Sequence, residues 1–385
     1  MLNQRFGLDW PSDMYLEGGD QYRGWFHSSL LIGVGLKGGS PYRECATSGW
    51  TLDDQGRAMS KSLGNGIEPQ DIIQQSGAEV LRLWVSSVEF YEDVVLSPTI
   101  LTRLTEAYRK LRNTFRYALG NLDDFDPATG SVPAAEMLEI DQWILTRAEQ
   151  LTARCRAFYH EYAFHRVYQA LYNFAIVDLS SIYFDVLKDR LYTSARCSKA
   201  RRSAQTALYR LTHALTRLAA PVLSFTTEEA WSHLKKPAGE PSSVHLALFP
   251  EPADLTAGLT DHNRQRAANW ERLMTVRETV LKSLEFARQE KFIGANLEAK
   301  VHLKAGDELL PLLTEYAAEL PSLFIVSQVS LEGHADADLA VHVERAAGVK
   351  CERCWKYTFD VGANPDLPSV CAACARAVTL TFGAA

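Results

Sequence analysis

The sequence is short of several things, and each shortage excludes a class. No stretch reaches the ~18 uninterrupted apolar residues of a membrane span, although apolar residues make up 46% of the 385. The N-terminus, MLNQRFGLDWPSDMY, has no basic start followed by an apolar run, so no signal peptide is expected. Cysteine is scarce. There are seven, of which Cys45, Cys155 and Cys197 are scattered and four sit in two tight pairs near the C-terminus. That usage excludes a disulfide scaffold and fits a reducing, cytoplasmic setting. Positive charge is in deficit, with 40 Lys and Arg against 47 Asp and Glu, a formal −7. A general nucleic-acid coat is thereby excluded, but a local basic groove is not. No internal repeat or low-complexity tract is present.

What is there divides into four segments. Residues 1–98 carry most of the glycine-rich turns and read as α/β. "WFHSSLLIGVGL" predicts a helix, "ATSGWTL" a short strand entering a lysine loop, and "EPQDIIQQSGAEVLRLWVSSV" a second helix. From 99 to 235 the pattern changes to long amphipathic helices. Leu101, Leu104, Tyr108, Leu111, Phe115 and Leu119 recur at three- and four-residue steps, one stripe of a 3.6-period helix. Further helices are expected near 141–160, 162–190 and 198–219, the last with Pro221 just past its end. Thr226 followed by Glu229 is a capping-box signature for a fifth. Antiparallel helices of this length make a bundle. "KKPAGEPSSVH", from 235, predicts a linker. Residues 236–345 then read as a long helix at 262–290 followed by short strands around a helix at 307–319. The last segment, 346–385, has a character of its own.

It contains CERCWKYTFDVGANPDLPSVCAAC. Cys351 and Cys354 form one CxxC, Cys371 and Cys374 another. Two such knuckles can aim four thiolates at one point and complete a tetrahedral site. Soft ligands with every position filled by protein suit one structural Zn²⁺. A redox-active CxxC is the rival reading. Neighbouring Lys350, Arg353, Lys356 and Arg376 read equally as nucleic-acid contacts or as solvated surface.

Two stretches of the first segment carry chemistry when read together. "YLEGGDQYRGW" places Glu17, Asp20 and Gln21 at a double-glycine turn, where a backbone can approach a ligand and a carboxylate can bind an ammonium or a ribose. "QGRAMSKSLGNG" places Lys61 between Ser60 and Ser62 on a small-residue loop expected to stay mobile. Taken alone, each is as easily a solvated turn.

Together they resemble the class I aminoacyl-tRNA synthetases, and within that class the isoleucyl branch. "SKSLGN" is similar to the second signature of that class, the KMSKS loop, and "EGGDQ" to its E-G-x-D-Q turn. "GAEVLRLWV", "RNTFRYALGNL", "RRSAQTALY" and the double-CxxC tail extend the resemblance over the whole chain. It implies a multidomain α/β + α fold. Residues 1–98 would be a partial Rossmann-like nucleotide-binding half, 99–235 an anticodon-binding bundle, 236–345 a helical and small α/β junction, and 346–385 a zinc knuckle. The implied function is ATP-dependent isoleucine–tRNA ligation by a cytoplasmic monomer. Mg²⁺ would accompany ATP, and the partners would be isoleucine, ATP and tRNA(Ile). Lys61 would be catalytic, contacting the nucleotide with Ser60 and Ser62. Glu17, Asp20 and Gln21 would contact substrate or adenylate. Arg109, Arg112 and Arg116 on one helix, and Arg201 and Arg202 on another, would touch tRNA phosphates.

The chain departs from the family pattern in places. Ala58 stands where the loop's first lysine is usual, and Ser48 where histidine is common. No His-x-Gly-His motif and no editing region are found. A missing catalytic and editing half, in cis or in trans, is therefore expected, with the chain inactive alone and apolar surface left exposed on the first segment. The alternatives are a valine, leucine or methionine relative of the same class, or a non-catalytic, zinc-stapled tRNA-binding module.

Overall fold

A computed structural model of the protein describes residues 7–334 and 339–383. It divides into two compact units. The first takes in the chain up to Leu111, with Cys155–Tyr172 and Pro221–Thr226; the second holds Arg112–Arg154, Asn173–Ala220 and everything from Thr227 onward.

The first unit is built on a βαβ turn. Strand β1 (Ser12–Gly18) runs parallel to β2 (Tyr42–Ser48), in register from Ser12↔Tyr42 to Gly18↔Ser48. Parallel neighbours need a crossover, and here it is the helix Trp25–Lys37. That helix stops at Gly38, whose φ of 73° lets its N–H bond back to the Val34 carbonyl. Its Phe26 is buried, within 5.6 Å of the Tyr15 ring and 6.4 Å of Tyr42. The chain then turns at Gly49 into β3 (Thr51–Leu52), parallel to β4 (Val94–Val95). Gly49 is required there, since a Cβ would lie 2.2 Å from the Glu92 carbonyl oxygen. The helix expected over 68–88 is two, Pro69–Ser76 and Ala78–Ser87, because Gly77 has φ 86°.

The second unit is helical, with a small sheet. The helix Pro98–Gly120 enters it, and Glu139–His160 and Lys199–Ala219 follow close to expectation. On the last, Ala204, Leu208, Leu211, Leu215 and Leu218 form the buried stripe. Its N-terminus is capped by Ser198, which accepts from the Arg201 N–H. The helix expected at 162–190 begins at Phe164, after Tyr162 at φ 56°. It widens to π geometry over Phe174–Tyr183 and ends at Thr193. By length and composition Phe164–Thr193 could cross a membrane, but half of its most apolar window is buried inside the protein. A buried carboxylate ties this helix to its neighbours. Asp141 accepts from Tyr183 Oη at 2.7 Å and from both Arg190 guanidinium nitrogens at 3.0 and 2.6 Å.

Two local expectations fail. Thr226 does not cap a helix: it lies inside Ser224–His233, buried, 3.0 Å from the Tyr108 hydroxyl. Glu229 is taken by Arg112, at 2.7 and 3.1 Å. The strand expected directly after the helix at 307–319 is also delayed, since Leu320–Phe324 is helical and the strand begins only at Gln328. The segment after 235 is packed, with the Trp231 indole donating to Pro241 O at 3.0 Å and Glu228 accepting from Val244 N at 2.9 Å. Strand β5 (Ala299–Ala305) sits between β6 (Gln328–Gly333), parallel to it, and β7 (Ala340–Arg345), antiparallel. The C-terminal element pairs β8 (Val349–Lys350) with β9 (Tyr357–Thr358) and closes with the helix Ala372–Phe382.

Candidate functional site

The lysine loop hangs between β3 and the helix at Pro69, and one carboxylate organises it. Asp53 is buried at the end of β3. Its Oδ1 accepts from the backbone N–H of Gln55 at 3.0 Å and of Arg57 at 2.9 Å. Its Oδ2 accepts from Arg57 Nε at 2.8 Å and from Asn65 Nδ2 at 2.9 Å. Asn65 reaches back with its other atom, Oδ1 accepting from Ser60 N at 2.9 Å. The Asn65 amide, and then the Arg57 backbone N–H, hold the Asp53 carboxyl far below the usual carboxylate range. Within the loop Ser60 Oγ lies 3.1 Å from Ser62 Oγ, and Gly64 takes φ 62°. The loop expected to be pliant is thus pinned at both ends. Lys61 is exposed at its tip, with its ammonium free of any carboxylate among the described residues. Beside it opens a cleft of about 510 Å³, lined by Lys61, Ser60, Met59, Gly64 and Gly66 above an apolar floor that includes Ile72 and Trp84. Neither Asp53 nor Asn65 was a sequence candidate, although Asn65 lies inside the quoted motif and Asp53 two residues before it.

Glu17 is exposed at the end of β1, opposite Thr47 on β2. Asp20 is exposed and accepts from Gln21 Nε2 at 3.0 Å. Gln21 Oε1 in turn accepts from the Trp25 N–H at 3.2 Å, so this side chain closes the first turn of the crossover helix. None of the three lines the cleft beside Lys61.

The four cysteines do come together. The Sγ atoms of Cys351, Cys354, Cys371 and Cys374 all lie within 4.8 Å of one another, with Cys354 and Cys371 at 3.9 Å. Ligands at the zinc–sulfur distance on a tetrahedron would be about 3.8 Å apart. The donor set, its burial and its geometry fit a structural zinc. Burial alone would raise the Cys351 thiol, yet backbone N–H groups of Cys354, Cys371 and Arg353 bring it down to about 6. Burial pushes Cys374 up to about 11. Two of the nearby cations face inward. Arg353 donates to the carbonyls of Thr193 and, at 3.4 Å, Tyr192, and lies 3.6 Å from Cys374 Sγ. Lys356 meets Asp189 at 2.6 Å.

The five arginines expected to touch tRNA divide. Arg201 holds Asp124 by two bonds, at 2.6 and 2.9 Å, and is nearly buried. Arg202 bonds Gln205 and the Asp124 carbonyl. These two work inside the bundle, because Asp124 needs partners there: Arg201 first holds its carboxyl down at about 2. Arg112 is held by Glu229 and Arg109 by Glu106. Arg116 is exposed on the same helix.

Comparison with known proteins adds the likeness of sequence and fold. The family described as "tRNA synthetases class I (I, L, M and V)" matches residues 2–97, "Anticodon-binding domain of tRNA ligase" 141–303, and "Zinc finger found in FPG and IleRS" 348–377. The isoleucine–tRNA ligase of Moorella thermoacetica is 46% identical over 390 residues, and that of Symbiobacterium thermophilum 48% over 394. Each alignment covers 98% of this chain and 41% of the relative, so the chain spans about two fifths of their length. Among solved structures, a Mycobacterium tuberculosis methionyl-tRNA synthetase in complex with methionyl-adenylate aligns with 65% of this chain and 48% of its own. Its TM-score is 0.51 and its identity 22%, a likeness of fold. A leucyl enzyme of Agrobacterium radiobacter aligns with 77% of this chain and 31% of its own, at TM-score 0.50 and 16% identity.

Proposed function

Because 98% of the chain aligns with isoleucine–tRNA ligases at 46–48% identity and residues 2–97 match the class I family, we propose that it is part of a class I tRNA synthetase and contributes to isoleucine activation and transfer to tRNA(Ile). In this reading residues 1–98 are the later part of the nucleotide-binding domain, 99–235 the anticodon bundle, 236–345 a junction and 346–385 a zinc-stapled module. The setting is the cytoplasm and the chain is monomeric. The remaining three fifths of the enzyme, by the relatives' length, supply the rest of the ATP and isoleucine pocket.

The observation that carries the reading is Lys61, at the tip of a pinned loop, free of carboxylates among the described residues and lining a cleft. In adenylation the isoleucine carboxylate oxygen attacks the ATP α-phosphorus, and the bond to the bridging oxygen breaks to release pyrophosphate. Charge grows on the phosphoryl oxygens. A preplaced ammonium offsets it at no cost of reorganisation. Ser60 and Ser62 hydroxyls can donate to the same phosphates. Mg²⁺ would enter on the ATP. Glu17 and Asp20 offer carboxylates to an ammonium or ribose, with Gln21 Nε2 steadying the Asp20 carboxylate. The tRNA ribose hydroxyl then attacks the acyl carbon and AMP leaves. Arg116, with Arg109 and Arg112 on the same helix, supplies phosphate contacts.

The test is isoleucine-dependent pyrophosphate exchange, with the chain alone and with the remaining part of an isoleucine ligase in trans. Exchange is expected only on complementation, only with isoleucine, and reduced ~10²–10³-fold by Lys61→Ala. Tight tRNA binding with no exchange under any complementation would assign the chain to the binding-module class.

A further inference from the structure

Resting on that reading of Lys61, we infer that Asp53 and Asn65 are positioning residues, a carboxylate–carboxamide clamp that sets where the loop presents its ammonium. The two side chains are twelve positions apart and bracket the whole loop. Their geometry is fully used. Asp53 Oδ1 takes two backbone N–H groups at the loop's entry, and Oδ2 takes Arg57 Nε and Asn65 Nδ2. Asn65 spends Oδ1 on Ser60 N, the residue before Lys61, and also points Nδ2 at the Ala58 carbonyl at 3.3 Å. One carboxamide therefore grips both the chain entering the tip and the anchor below it.

A small-residue segment with Gly64 and Gly66 would otherwise sample many backbone states. Fixing it beforehand matters because misplacement of a catalytic group by ~1 Å costs on the order of 10²-fold in rate. Bonds to an ionised acceptor are the stronger kind, and Asp53 stays ionised across any working pH. The clamp should respond to substitution and not to titration.

The polarity of the pair gives the test. In Asp53→Asn alone, an amide nitrogen would face the Asn65 amide nitrogen. In Asn65→Asp alone, two carboxylates would face each other. The double variant swaps the two groups. The carboxamide now at position 53 can keep its oxygen on the two N–H groups and donate to the carboxylate now at position 65, which still accepts from Ser60 N. The nitrogen at position 53 cannot accept from Arg57 Nε, and the carboxylate now meets the Ala58 carbonyl, so the repair is partial. Each single variant, in the complemented enzyme, should lower kcat for pyrophosphate exchange ~10–100-fold while KM for ATP moves less than ~3-fold, the signature of an interaction spent in the transition state. The double variant should recover part of that loss and run clearly faster than either single. Hydrogen exchange on the chain should show the Ser60 and Arg57 amides unprotected in the singles and protected again in the double. Wild-type kcat in both singles, with Lys61→Ala impaired, would overturn the clamp. So would a double variant no better than the singles. Full speed in Lys61→Ala would instead overturn the assignment of Lys61 itself, and the clamp's role with it.

Discussion

At the residue scale, charges that look alike in the sequence have different duties, and substitution separates them. Arg201 is nearly buried against Asp124, so Arg201→Ala leaves a half-buried carboxylate without its fork. Chemical unfolding should register a loss of up to about 3 kcal/mol, with the salt dependence of tRNA binding unchanged. Arg116→Gln should do the reverse, leaving the unfolding midpoint in place and lowering the salt slope of tRNA binding by about one. His213 offers a pH test. It lies between the rings of Trp231 and Tyr209, with Arg217, Lys236, Glu240 and Asp254 as the charged groups around it. Burial first, then Arg217 and Lys236, pull its pKa from 6.5 to about 4. A histidine depressed in the folded state binds its proton better when unfolded. Its contribution is complete above pH ~6.5 and is lost as pH falls towards 4, by about 3 kcal/mol in total. Urea unfolding at pH 7.5 and 4.5 should differ by about 2.5 kcal/mol less in His213→Gln. An unchanged difference would place the acid sensitivity elsewhere.

At the scale of elements, the zinc module is fastened to the helix ending at Thr193 by Arg353 and Lys356, two of the four cations that read equally as nucleic-acid contacts or as solvated surface. A four-thiolate zinc centre carries a formal charge of two minus, and the C-terminal end of a helix is also electronegative. Arg353 sits against both, and Lys356 beside it pairs with Asp189. Removing zinc with a chelator should therefore unprotect 346–383 to hydrogen exchange and also loosen the end of Phe184–Thr193. Arg353→Ala should speed zinc release and loosen the same helix end with zinc present. If chelation leaves that helix untouched, the fastening is passive. The pattern of apolar residues made the long helices legible, because a buried stripe is a local property of sequence. The CxxC pairs were legible for the same reason. Thr226 and Glu229 were misread because their partners, Tyr108 and Arg112, are more than a hundred positions away. Asp53 and Asn65 were passed over because a buried carboxylate in a loop is visible only once the loop has closed on it.

At the scale of the molecule, the first unit shows what a βαβ turn looks like when little covers its outer face. Leu31, Ile32 and Leu36 on the crossover helix are 63%, 60% and 80% exposed, and Leu16, on the side of β1 away from Tyr15, is 59% exposed. Surfaces of this size and composition are usually covered by another element or partner, and the relatives are more than twice as long as this chain. We propose that the outer side of the crossover helix is where the remaining part of a ligase docks. The consequence separates folding from assembly. Leu31→Gln with Leu36→Gln replaces exposed side chains and should leave the chain's own unfolding within about 0.5 kcal/mol. The same pair should raise, by tenfold or more, the concentration of the remaining part needed for half-maximal pyrophosphate exchange, while the rate at saturation holds. A half-maximal concentration equal to that of the wild-type chain would mean that the covering part docks elsewhere and that this helix faces water in the assembled enzyme.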